Sequence, residues 1–152
     1  MEDLIGFIKA RVDDDERAAV DASQQAASEH WRATELDDRS VTDPRRRRVW
    51  GVATQQEIPR ALALCRADVP VGARSMLAVQ IARHDPARVC REVRAKRRIL
   101  DQAEYVLQEA DKSAGTPAAR VGEGRAGVID FVLRGLALPY ADHPDYRPEW
   151  KL

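Results

Sequence analysis

Apolar residues recur at alternating spacings of three and four through Ile5, Ile8, Val12, Asp15, Ala19, Ala22 and Ala26, the repeat of one face of an α-helix. A long amphipathic helix is therefore expected from Asp3, fading near His30 and Trp31. One position in that stripe, Asp15, is charged. A second stripe of equal length runs through Val89, Val93, Lys96, Leu100, Ala103, Leu107 and Ala110, is widened by Cys90, Ile99 and Val106, and is interrupted only by Lys96. Its start is marked by His84-Asp85-Pro86. Asp85 suits a helix cap, and Pro86 suits the first helical position, where its missing N–H would have had no partner in any case.

The segments between and after these helices read differently. Residues 31–36 and 48–54 carry β-branched and aromatic residues and are separated by Asp, Ser and Pro, so a small hairpin is expected between Trp31 and Thr54. A short helix is expected from Gln56, with Pro59 in its first turn and a break at Val69-Pro70-Val71-Gly72; another runs from Ala73 to about Arg83. Residues 112–125 contain SAGTPAARVGEG, rich in small residues, Gly and Pro, and read as a flexible loop before a last helix from Ala126 to about Ala137. The remaining LPYADHPDYRPEWKL has three prolines and three aromatics, the signature of an extended tail docked on the surface. The expected fold is mainly α: a single-domain bundle of about five helices built on two long ones, with one small hairpin and an aromatic C-terminal tail.

If the two long helices pack antiparallel with Asp15 and Lys96 in one layer, Val12 meets Leu100, Ile8 meets Ala103, Ile5 meets Leu107, Ala19 meets Val93 and Ala22 meets Val89. Every other layer is then apolar. A charged pair in such a seam sets register more than it adds stability, because desolvation offsets much of the attraction. Two other arrangements fit the same pattern: Lys96 reaching solvent along its aliphatic stem while Asp15 faces water, or pairing between two chains.

Composition agrees with helices rather than sheets, since 44% of the 152 residues are hydrophobic but only 5% aromatic. Basic and acidic residues number 25 each, so a charged partner must be met locally rather than by a net field. Cys65 and Cys90 are too few for a disulfide framework, and neither belongs to a Cys-x-x-Cys pair. The flanking acids of the first apolar run oppose a secretory signal, and no apolar stretch approaches the roughly 20 residues that span a bilayer. A cytoplasmic protein without membrane attachment is the expectation.

The phrases IARHDPARVCREVRAKRRIL (81–100), LRGLALPYADHPDYRPEW (133–150) and LIGFIKARVDDDE (4–16) resemble the actinobacterial and actinophage family called domain of unknown function 6221. The resemblance implies a source class but no activity, cofactor or catalytic residue. Members of that family often carry extra cysteines just before the last helix, where this chain has SAGTPAARVGEG and none.

Candidate chemistry is sparse. His30, His84, Asp85 and Asp130 follow the order of the metal ligands in His-Asp phosphohydrolases, but Asp85 before Pro86 reads as a helix cap. Basic residues concentrate at Arg45, Arg46, Arg47 and Arg48 and in residues 83–98, where Arg83, Arg88, Arg91, Arg94, Lys96, Arg97 and Arg98 face only Asp85 and Glu92. The face of Arg88, Arg91, Arg94 and Arg98 could lie along phosphates. Against this, residues 1–43 hold twelve acids and five bases, enough to cover the basic helix from within. Asp13-Asp14-Asp15-Glu16 lacks the alternation and Gly of a calcium loop. Both cysteines fall at apolar helical positions, no Gly-rich phosphate loop or Gly-x-Ser-x-Gly elbow is present, and no cofactor or metal is expected. Tyr140, Tyr146 and Trp150 either pin the tail over the core or form a recognition surface. The expectation is a non-enzymatic protein-interaction or regulatory protein, its partner another protein or a second copy, with a nucleic-acid accessory role as alternative and a phosphohydrolase as a distant one.

Overall fold

A computed structural model of the chain describes residues 1–26, 28–37, 48–54 and 71–152. Helix predominates among them, in the order α1 (Glu2–Ala26), β1 (Trp31–Asp37), β2 (Arg48–Thr54), α2 (Val71–Arg83), α3 (Pro86–Lys112) and α4 (Ala119–Ala137), followed by short 3-10 turns at Leu138–Tyr140 and Pro148–Trp150. The helix expected from Gln56, the fifth of the bundle, lies outside the described residues, as do Arg45, Arg46, Arg47 and Cys65. None of the described helices is long and apolar enough to cross a membrane. The chain divides into two units, one of Met1–Asp15 with Glu92–Leu152 and the other of Glu16–Arg91.

The first unit is a three-helix core closed by the tail. Its buried residues are Leu4, Ile5, Phe7, Ile8 and Val12 from α1, Val93, Leu100 and Ala103 from α3, Leu133 and Ala137 from α4, and Trp150. Burying each of the larger aliphatic side chains contributes about 1.5–3 kcal/mol, so this seam outweighs any single surface ion pair. Ion pairs along it fix the helix direction. Lys9 pairs with Glu104 (2.6 Å), Asp13 with Arg97 (2.7 Å) and Asp15 with Lys96 (3.1 Å), the numbers rising on α1 as they fall on α3. Val12 and Leu100 line one open groove between the same helices.

The turn into α4 differs from expectation. Residues 119–125, read as loop, are helical, and α4 begins at Ala119 rather than Ala126. Gly115, at φ 78°, makes the left-handed turn that ends the preceding segment. Thr116 Oγ1 donates to the Ser113 carbonyl (2.7 Å) and Ser113 Oγ to the Ala110 carbonyl (2.9 Å), satisfying groups that a helix end leaves unpaired. Gly122 then lies against α3, where an added Cβ would stand 3.2 Å from Ala110 Cα. The glycine that resembles loop punctuation is a close-packing residue.

The second unit holds the hairpin. β1 and β2 pair antiparallel from Trp31 opposite Thr54 to Asp37 opposite Arg48, and α2 packs on both strands. The Trp31 indole N–H donates to the Ser28 carbonyl (3.2 Å), and the Ala87 N–H to the Glu29 carbonyl (3.0 Å), so the strand entry is tied to the start of α3. At that start Asp85 Oδ1 accepts from the Arg88 N–H at 2.7 Å, the geometry of an N-cap.

Candidate functional site

The first unit gathers one polar cluster in its seam. Lys96 Nζ donates to Asp15 Oδ2 (3.1 Å) and to the Tyr140 hydroxyl (2.7 Å), and that hydroxyl donates to the same Asp15 oxygen (2.5 Å). α1, α3 and the first 3-10 turn of the tail each supply one corner. The Lys96 ammonium also sits 5.1 Å from the Tyr140 ring centroid, a cation–π distance. Burial works to lower the Lys96 pKa, but its bonds to Tyr140 and Asp15 together hold it above the ordinary lysine value. Burial raises the Tyr140 pKa, Asp15 raises it further and Lys96 opposes both. At neutral pH the ammonium and the phenol therefore both keep their protons. A general base needs a pKa near the working pH, and these groups are moved away from it.

Beside this cluster, aromatic rings surround Phe7. Tyr140, His143, Tyr146 and Trp150 have centroids 6.4, 5.7, 6.0 and 5.0 Å from it, and Tyr146 and Trp150 meet edge to face at 5.8 Å. Arg11 contacts both ring nitrogens of His143, pairs with Asp14 at 2.8 Å and lies 5.7 Å from the Phe7 centroid. Arg147 bonds Asp3 (2.8 Å) and covers the Trp150 ring, while Arg134 joins Asp130 (2.7 Å) to the Glu149 carbonyl. Trp150 is buried whereas Tyr140 and Tyr146 are half-buried. The tail is docked, but it is coiled into two 3-10 turns rather than extended throughout, with Pro139 second in the first turn and Pro148 first in the other.

Of the basic residues, Arg88, Arg91, Arg94 and Arg98 are all exposed. Several neighbours are occupied within the chain. Arg97 pairs with Asp13, Lys96 with Asp15, and the Arg88 guanidinium with the Arg83 carbonyl (3.1 Å). Arg88 and Arg94 have further partners. Arg48 lies on β2.

The His-Asp set is divided. His30 Nδ1 stands 3.5 Å from Asp85 Oδ2, but Asp85 also caps α3, His84 Nε2 is 3.0 Å from the Gln80 amide, and Asp130, in the other unit, pairs with Arg134. Among the described residues no three His, Cys, Asp or Glu side chains are grouped to hold a metal ion. Cys90 is half-buried.

Phe7, Arg11 and His143 were not singled out in the sequence. The available signal was the second line on α1, Leu4, Phe7 and Arg11, spaced by three and four beside the apolar stripe. The other unmarked feature is the outer side of α4, where Val121, Val128 and Phe131 are exposed, continued by Leu138 in the following turn.

A family model described as a family of unknown function, DUF6221, matches residues 1–152. No curated protein matches the sequence, and no solved structure does.

Proposed function

The chain belongs to the DUF6221 family of unknown function, and from that premise we propose that it is a non-enzymatic protein-interaction module. The observation that carries this reading is the outer face of α4. A helix apolar on one side normally turns its other side to water, whereas α4 buries Leu133 and Ala137 inward and leaves Val121, Val128 and Phe131 outward. An exposed apolar patch of this kind marks a contact surface. The polar cluster supports the same reading, since its protonation directions suit cross-linking of three elements rather than proton transfer. A cytoplasmic setting in an actinobacterium or its phage is part of the proposal.

The nucleic-acid alternative rests on exposed Arg91 and Arg98 with Arg88 and Arg94; the engagement of Lys96 and Arg97 by Asp15 and Asp13 favours the protein reading over it. Capture on the tagged full chain, with and without nuclease and with wild type beside Phe131→Glu, separates the two. Protein binding that survives nuclease and is lost in the variant is expected; capture abolished by nuclease, or identical in both proteins, would contradict the reading.

A further inference from the structure

The exposed residues of α4 and the turn after it are not scattered. Val121 is 58% exposed, Val128 64%, Phe131 66% and Leu138 50%. With Gly124 and Gly135 they fall at successive spacings of three and four: Val121, Gly124, Val128, Phe131, Gly135, Leu138. That is the a and d pattern of a heptad repeat, which winds one helix against another. It lies on the side of α4 opposite Leu133 and Ala137.

Among the described residues nothing accounts for glycine at the two such positions on this stripe. Glycine inside a helix costs about 1 kcal/mol relative to alanine. At Gly122 an added Cβ would collide with Ser113 and Ala110, so α3 accounts for it; at Gly124 and Gly135 an added Cβ would meet nothing within 4 Å. Small residues on an apolar outer face are what a closely approaching second helix requires.

The stripe also reads the same in both directions about a point between Ile129 and Asp130. Laid antiparallel on a copy of itself, Val121 of one copy falls opposite Leu138 of the other, Gly124 opposite Gly135, and Val128 opposite Phe131, each pair occurring twice. A two-fold interface demands this property: the same patch on both copies, with i meeting j and j meeting i. The glycine layers flank the central Val128–Phe131 layers and leave holes into which the Phe131 rings project.

Charge chooses the antiparallel orientation. In a parallel pair, Arg120 of one copy would flank Arg125 of the other along both edges of the seam. In the antiparallel register Arg125 falls beside Val132 of the other copy and Arg134 beside its Gly127, so no arginine flanks another. The helix dipoles are opposed as well, which is the favourable sense. The largest patch on a typical monomer covers roughly 300–600 Å², and only at the upper end of that range do two together reach the about 1,000 Å² of a specific interface; four large apolar side chains, each at least half exposed, supply such a patch here.

Building on the protein-interaction reading above, we infer that the partner of this face is a second copy of the chain, bound antiparallel through α4. Light scattering across a concentration series, on wild type, Phe131→Glu and Gly135→Leu, tests it. Wild type is expected at twice the 17.0 kDa of the chain, and both variants at the single mass. Because Gly135→Leu puts a better helix former at an exposed helical position, the monomeric variant is expected to keep a cooperative thermal unfolding transition, so loss of dimer cannot be assigned to loss of folding. A wild type that stays at 17.0 kDa up to near-millimolar concentration, or a dimer untouched by both variants, would overturn the inference. The broader reading is distinguished by the capture experiment. A monomeric wild type that binds a different protein through Phe131 overturns the second copy alone, and one with no Phe131-dependent partner overturns both.

Discussion

Tyr140 closes the polar cluster, and removing its hydroxyl isolates the pair beneath it. Tyr140→Phe deletes the bonds to Asp15 and Lys96 while keeping the ring against Phe7, and is expected to lower unfolding free energy by about 1–2 kcal/mol in urea titration. Asp15→Ala and Lys96→Met, made singly and together, are expected to couple by about 1 kcal/mol or more; additive losses would show that the pair contributes nothing as a pair. The pH dependence has a definite sign. Both Lys96 and Tyr140 have folded pKa values above their ordinary values of 10.5 and 10.0. The unfolded chain therefore releases these protons first, and the stability they contribute is complete below those values and lost as pH rises through the higher folded ones. Urea midpoints are expected to hold level from neutrality to the onset of alkaline titration and then fall. In Lys96→Met with Tyr140→Phe the fall is expected to be shallower.

At the scale of elements, what was legible depended on whether a local rule decided the outcome. The Asp85-Pro86 start of α3 is fixed by capping chemistry, which is local, and the helix begins at Pro86. The hairpin strands were visible because β-branched and aromatic residues cluster there. The start of α4 at Ala119 is not legible locally, because Gly122 and Gly124 lower helix propensity there. The gain that overrides them comes from packing on Ala110, which no local rule contains. The glycines of α4 therefore differ in what substitution does to them. Gly127→Ala, with open space at its Cβ position, is expected to stabilise by up to about 1 kcal/mol in thermal unfolding. Gly122→Val is expected to destabilise by about 1–3 kcal/mol, the ordinary cost of overpacking. The tail was legible in its aromatics but not in its anchor, because Phe7 sits beside the main stripe of α1 rather than in it. Trp150→Ala, which removes a buried ring from Phe7 and Tyr146, is expected to cost about 3–5 kcal/mol.

For the molecule as a whole, equal numbers of acids and bases resolve into local engagements: Asp13 with Arg97, Asp15 with Lys96, Glu104 with Lys9. Sequence reasoning could see that acids were available to neutralise α3, because that is a matter of counting. It could not see the outer face of α4. A periodicity that fills a helix with apolar residues on two sides reads simply as a core helix, and only exposure tells the two sides apart. The candidate interaction surface therefore came from the structure, whereas the Asp15 and Lys96 positions came from interruptions in otherwise apolar stripes. Whether α4 pairs antiparallel between copies is read out by the distance between labels on the two copies. With Cys65 and Cys90 replaced by Ser, spin labels are placed at Arg120 in one sample and at Gly127 in another. At a rise of 1.5 Å per residue, the antiparallel register puts the Arg120 positions of the two copies roughly 30 Å apart and the Gly127 positions about 10 Å apart. Equal short distances at both positions, or no distance between copies at either, would contradict it.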